Sequence, residues 1–199
     1  ISLDEYREQR RGGQGKAVVS VKGEDLIQNL YVLSSHVQIL CFTTKGKVFW
    51  LKVYEIPVAS RISKGRPLVN MLNLDDDESV SEILPVEEFS EDKFIFMATK
   101  KGTTKKTNLS LFAKKYKSGI KAINLDDDDV LIGTAITSGD NEILLASSSG
   151  KLIRFSESHV RPMGRTARGV RGITLKKGEK LISLMVGDET KTILCVSEN

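Results

Sequence analysis

Lysine and arginine dominate the chemistry this sequence could perform. From Lys93 to Leu125 there are nine lysines, at 93, 100, 101, 105, 106, 114, 115, 117 and 121, and no acid. From Ser158 to Gly178 there are Arg161, Arg165, Arg168, Arg171, Lys176 and Lys177, again with no acid. Arg61, Lys64 and Arg66 form a smaller cluster. Such cations grip phosphates, arginine bidentately, and a track of them holds a nucleic-acid backbone without reading bases. Catalytic chemistry finds no comparable constellation. His36 and His159 have no nucleophile pattern beside them, and no GxxxxGK[ST] phosphate loop occurs. Cys41 and Cys195 stand 154 residues apart, each third in an apolar run, and read as buried reduced thiols rather than metal ligands. The Asp runs at 75–77 and 126–129 lack the ligand spacing of a calcium loop and read as solvated turns. Tyr6, Tyr31, Tyr54 and Tyr116 read as packing or surface residues, and aromatic residues, 6% of the chain, do not interleave with the basic clusters. That argues against single strands held by base stacking. No metal or cofactor is expected.

The elements that must carry these cations repeat. The chain has 199 residues, 40% of them hydrophobic, with a net charge of only +4, so the distribution of charge matters more than its sum. No run of 18 apolar residues suggests a membrane span. The acidic start, without Met, reads as a cut piece of a longer protein and not as a signal peptide. Short apolar runs recur at Ile39–Phe42, Ile95–Ala98, Leu144–Ser147 and Ile193–Val196, their third residues spaced 56, 49 and 49. Gly-centred turns around Gly46, Gly102 and Gly150 follow three of them. A second element ends at Leu74, Leu125 and Leu175, spaced 51 and 50, and each copy leads into a charged turn. Ala17–Val21 is the matching first copy.

Each unit of about 50 residues thus reads as strand, charged turn, strand, strand, Gly turn, strand. Ser110–Ala113 and Ser156–Val160 read as short helical turns. The expected fold is all-β: a propeller-like array of four-stranded blades, about three and a half of them, forming one repeat domain over 1–199. Approximate blades are 1–58, 59–115, 116–164 and an incomplete 165–199. The basic clusters precede each first strand, so a toroid would gather them on one rim as a positive belt.

Gln9-Arg10-Arg11-Gly12-Gly13-Gln14-Gly15 closely resembles the GyrA box, QRRGG[KR]G, of the C-terminal domain of DNA gyrase A. Arg66–Asn70, Ala98–Thr103 with Lys105–Thr107, and Val160–Arg165 through Gly169–Gly172 resemble that family's blade motifs. The resemblance covers essentially the whole chain. It implies a β-pinwheel, a propeller-shaped disc whose blades exchange a strand, around whose rim duplex DNA bends. It also implies a non-catalytic role within a bacterial, cytoplasmic, nucleoid-associated heterotetramer. There the remainder of gyrase A supplies the catalytic tyrosine, which Tyr6 is not, and gyrase B supplies ATP hydrolysis for negative supercoiling. Gln14 stands where the box usually has Lys or Arg and removes one potential phosphate contact; the paired glycines would let backbone approach DNA closely. Belt and box together nominate Gln9, Arg10, Arg11, Gly12, Gly13, Gln14, Gly15 and Lys16 for DNA. They also nominate Arg61, Lys64, Arg66, Lys100, Lys101, Lys105, Lys106, Lys117, Lys121, Arg161, Arg165, Arg168 and Arg171. Two alternatives stay open. One is the homologous topoisomerase IV domain, in which the box is degenerate or missing; the other is a propeller serving as a protein-interaction scaffold.

Overall fold

The computed structural model describes residues 1, 8–15, 29–60, 63, 65–187, 190, 192 and 193. Lys16, Arg61, Lys64, Cys195 and the expected strand at 17–21 lie outside the described residues, as does most of the run at 193–196. The strands are β1 (Gln38–Thr43), β2 (Lys47–Lys52), β3 (Val80–Val86), β4 (Phe94–Thr99), β5 (Thr103–Asn108), β6 (Ile120–Lys121), β7 (Leu131–Thr137), β8 (Glu142–Ser147), β9 (Leu152–Ser156), β10 (Val170–Arg171) and β11 (Leu181–Gly187). Short 3-10 turns at Leu109–Phe112 and Glu157–His159 match the expected helical turns.

Among the described residues three antiparallel sheets form, ordered β3-β1-β2-β6, β10-β5-β4-β7 and β11-β8-β9. Each is built on a hairpin closed by a Gly turn. Gly46, Gly102 and Gly150 donate their N–H groups to the carbonyls of Thr43, Thr99 and Ser147. The third strand of each sheet comes from the following sequence unit. In the first two sheets a two-residue fourth strand comes from the unit after that. One division of the sequence into blades therefore contributes to three successive sheets. This exchange stitches the array: removing the unit 116–164 would take strands from all three sheets.

The exchange also fixes inside and outside. β3 packs on β7 and β7 on β11, so these edge strands surround the axis. β6 and β10, on the opposite sheet edges, lie at the rim. Between the first and second sheets lie Leu40, Phe42, Trp50, Met97, Phe112 and Ile123. Between the second and third lie Phe96, Ile143, Leu145, Val160 and Ile173. Alternate residues of β4 thus serve two cores, as period-2 pleating requires of a strand buried on both faces.

Two expectations are corrected. The apolar run of the third unit aligns one residue earlier than expected, because Ser147 holds the hairpin place of Thr43 and Thr99. The hydroxyl of each accepts the backbone N–H four residues on, from Lys47, Thr103 and Lys151. Leu145, not Ala146, is therefore the counterpart of Met97; a one-residue slip would turn the run's core side chains to the other face. The segment Val69–Leu74 is not a strand but begins in a 3-10 turn, Leu68–Met71. Its counterparts enter β6 and β10 through Gly119 and Gly169, at φ +68° and +101°. A Cβ at Gly119 would stand 2.7 Å from the Phe49 ring, and one at Gly169 2.4 Å from the Thr104 carbonyl oxygen. β6 pairs with the hairpin two units back, at β2, and β10 likewise with β5; by the same rule Val69–Leu74 would pair one unit before β1–β2, where the described residues hold no hairpin.

Candidate nucleic-acid interface

The Gln9–Gly15 loop folds upon itself. The Gly13 N–H donates to the Arg10 carbonyl at 3.0 Å, and the Gly15 N–H donates to Oε1 of Gln9 at 3.1 Å. A Cβ on Gly13 would stand 2.6 Å from that same Oε1 and 3.2 Å from the Arg10 carbonyl oxygen, so a larger residue there would displace the glutamine side chain. The loop is a polar knot that leaves Arg10 and Arg11 exposed.

The other candidates lie along two rim strips. The first follows the outer edge of β2. Lys115 pairs with Glu55 at 3.0 Å beside the 3-10 turn that ends β2, and Lys121 sits opposite Lys47 at the hairpin-turn end, its Nζ donating to Asn124. Lys117, between them, is exposed. The second strip follows β5. Pro162 bridges Lys106, the Met163 N–H donates to the Lys106 carbonyl, and Arg171 pairs with Thr103. Arg161, Arg168 and Arg171 are exposed and Arg165 is half-buried. The strips touch where the Asn124 N–H donates to the Ala167 carbonyl at 3.1 Å. Between them opens a cleft of about 530 Å³, lined by Lys101, Asn124, Asp126, Asp129, Arg168 and Arg171 among others. Arg66 is exposed before the Leu68–Met71 turn, and Lys100 and Lys101 are exposed in the second hairpin turn.

Lys105 and Lys106 are not on this surface. Lys105 is 0% exposed and Lys106 4% exposed, because both sit on β5, which is covered on either side. The Nζ of Lys105 donates to the carbonyls of Ala122, at 2.6 Å, and Arg165, one from each rim strip. Burial, and secondarily the Arg165 guanidinium, lowers its pKa to about 8. The Nζ of Lys106 donates to the Glu157 carbonyl at 2.9 Å, lies 3.8 Å from the Glu157 carboxylate and sits over the Phe94 ring. Both lysines build the rim from within.

The charged turns also divide their labour. Their fourth residues fold the turn: Glu78 accepts the Asp75 N–H, Glu179 accepts the Lys176 N–H, and Asp129 accepts the Lys101 N–H of the adjoining hairpin turn. Earlier residues neutralise neighbours. Asp75 pairs with Lys47 at 2.8 Å, Asp77 with Lys45, and Asp126 with Arg168. The hydrogen bond from Lys47 holds the Asp75 carboxyl below its usual range, and that from Lys45 does the same for Asp77. The sequence pattern of these turns speaks only of solvation; the recurrence of Glu, Asp and Glu at the fourth place is the signal of the folding role. Cys41 is buried and free, and burial pushes its thiol up to about 12. Among the described residues no cluster of three or more His, Cys, Asp or Glu could hold a metal ion, and no helix is long and apolar enough to cross a membrane.

The family model described as "DNA gyrase C-terminal domain, beta-propeller" matches residues 1–34, 38–87, 93–138 and 141–188. The DNA gyrase A subunit of Salmonella typhimurium is 48% identical over 197 residues, which cover 99% of this chain and 22% of that protein. That of Haemophilus influenzae is 51% identical over 173 residues, 87% of this chain and 20% of that protein. The chain thus spans about a fifth of these relatives. The solved C-terminal domain of DNA topoisomerase IV superposes with a TM-score of 0.73 at 29% identity, over 78% of this chain and 48% of that one. A DNA gyrase A C-terminal domain superposes at 0.69 and 24% identity, over 94% and 60%, and so speaks to the fold.

Proposed function

The chain belongs to the DNA gyrase C-terminal-domain family of β-propellers, and from that premise we propose that it binds duplex DNA along its rim and bends it. In this reading the domain does no covalent chemistry. It serves a bacterial, cytoplasmic gyrase A, whose remaining domains, with gyrase B, carry out ATP-dependent negative supercoiling around the DNA segment that this domain presents. The observation that carries the reading is the shared phase of the two cationic strips, which run into β6 and β10 at the same edge of successive sheets. Arg10, Arg11, Arg66, Lys117, Lys121, Arg161, Arg165, Arg168 and Arg171 would contact phosphates, with Lys16, Arg61 and Lys64 added from the sequence alone. Lys100 and Lys101 would contribute to the field at the turn end, Lys101 already donating to the Asp127 carbonyl. Lys105 and Lys106 leave the contact set. The Gln9–Gly15 box speaks for a gyrase over a topoisomerase IV domain.

The test is duplex binding across salt, beside linking-number change on a plasmid relaxed with the chain bound. Affinity should fall by about 10³–10⁵ between 50 and 200 mM salt if 6–10 phosphates are held, and long duplexes should bind better than short ones. Arg10→Ala with Arg11→Ala should reduce the linking-number change more than the affinity, because a bend must be held at its end. A flat salt profile sinks the reading; equal proportional losses remove the box's special role.

A further inference from the structure

The three charged turns share one geometry but not one charge. Turns 75–78 and 126–129 are wholly acidic, whereas Lys176-Lys177-Gly178-Glu179, followed by Lys180, is basic. The geometry is retained in the hydrogen bonds. The N–H groups of Glu78, Asp129 and Glu179 donate to the carbonyls three residues earlier. Each turn is followed by a carbonyl, of Ser79, Val130 and Lys180, that accepts from a hairpin-turn N–H, of Thr44, Lys100 and Ser148. All three turns therefore sit on the hairpin-turn face of the disc. Since the fourth-position carboxylate does the folding, the reversed charge at the first two positions leaves the turn in place and alters its ion pairs, Asp75 with Lys47 and Asp126 with Arg168, and what it offers to solvent.

The rim strips end on these turns. The strip from Lys115 to Lys121 leads into the acidic 126–129 turn, whose Asp126 already occupies Arg168. The strip from Arg161 to Arg171 leads into the exposed Lys176 and Lys177. We infer that Lys176, Lys177 and Lys180 form a DNA-backbone contact that extends the track from the rim onto the hairpin-turn face between the second and third sheets. Phosphates are repelled from that face at the two acidic turns and held there at the basic one, so the duplex crosses the disc obliquely. The obliquity gives the bend a hand. The inference rests on the rim-binding reading proposed above.

Two variants in the full chain test it. Lys176→Asp with Lys177→Asp removes the contact. Asp76→Lys with Asp127→Lys makes the other two turns resemble the third, at exposed positions whose side chains hold none of the turn bonds above. The first variant should bind duplex more weakly, with a salt slope shallower by about 2. The second should bind more tightly. Both should nonetheless reduce the signed linking-number change per bound chain, because both level the path. If linking-number change simply follows affinity, rising in the second variant, there is no oblique path. If the salt slope of the first variant is unchanged, the lysines make no contact. If the native chain itself binds duplex without salt dependence, it is the rim-binding reading that has failed, and this inference falls with it.

Discussion

β2 and β5 occupy the same place in successive sheets and are made of opposite materials. Val48, Phe49, Trp50 and Leu51 in the first become Thr104, Lys105, Lys106 and Thr107 in the second, and all eight are buried. The pairing partners correspond, Trp50 opposite Leu40 and Lys106 opposite Phe96. So does one interaction. Nε1 of Trp50 donates to the Phe112 carbonyl at 2.8 Å, and Nζ of Lys106 donates to the Glu157 carbonyl at 2.9 Å. Each closes on the 3-10 turn that follows the next hairpin. The position asks for a long side chain with a terminal donor; indole and butylammonium both qualify. What differs is the cost. The indole brings apolar area into the core, whereas the ammonium must be compensated by Glu157. That carboxylate in turn takes the N–H groups of Gly139 and Asn141 and the Thr137 hydroxyl.

The difference predicts unequal fragility. Lys106→Met keeps length and removes the charge, leaving the Glu157 carboxylate buried without its cation. Loss of one partner from a buried pair costs about 3–5 kcal/mol. Denaturant unfolding should show that loss, and adding Glu157→Gln should recover part of it; no recovery would mean the pair is not the source. Trp50→Phe should cost less, on the order of 1–3 kcal/mol, since it leaves one carbonyl without its donor in an otherwise apolar core. Comparable losses in the two single variants would erase the distinction between the strands.

The array is legible in the sequence because its markers are local. Gly turns and apolar runs of four follow from hairpin geometry within one unit, and the 51- and 50-residue spacing of terminal leucines from repetition of that unit. The rim strips are legible for the same reason, being contiguous stretches of chain. Burial of Lys105 and Lys106 is not. In Thr-Thr-Lys-Lys-Thr-Asn nothing apolar announces a covered strand. The cover comes from residues 60 and 51 positions away, at Arg165 and Glu157. The same holds for Val69–Leu74, because strand pairing in this element depends on a hairpin two units back, as β6 depends on β2 and β10 on β5.

Lys105 gives the mildest test and the one with the clearest sign. Its place is that of Phe49, yet it holds a proton among carbonyl groups, with a pKa of about 8 instead of 10.5. Below pH 8 both folded and unfolded chains keep that proton, and the folded chain bears the cost of burying it. Between pH 8 and 10.5 the unfolded chain keeps it while the folded chain releases it. The unfolded state then binds more protons, and stability contributed by this site rises with pH. From pH 7 to 9 the gain is about 1 kcal/mol. Lys105→Met removes the titration, so the native chain should gain stability relative to the variant over that interval, whatever the other groups contribute to both. Urea unfolding of the two chains at pH 7 and pH 9 measures the difference. A constant gap would mean that Lys105 titrates outside this window. A gap that stays constant from pH 7 to 9 in the native chain's favour, and closes only as pH rises above the unfolded value of 10.5, would mean that the buried ammonium is net stabilising, its two carbonyls outweighing desolvation. β5 would then be the strand that depends on its charge rather than the one that tolerates it.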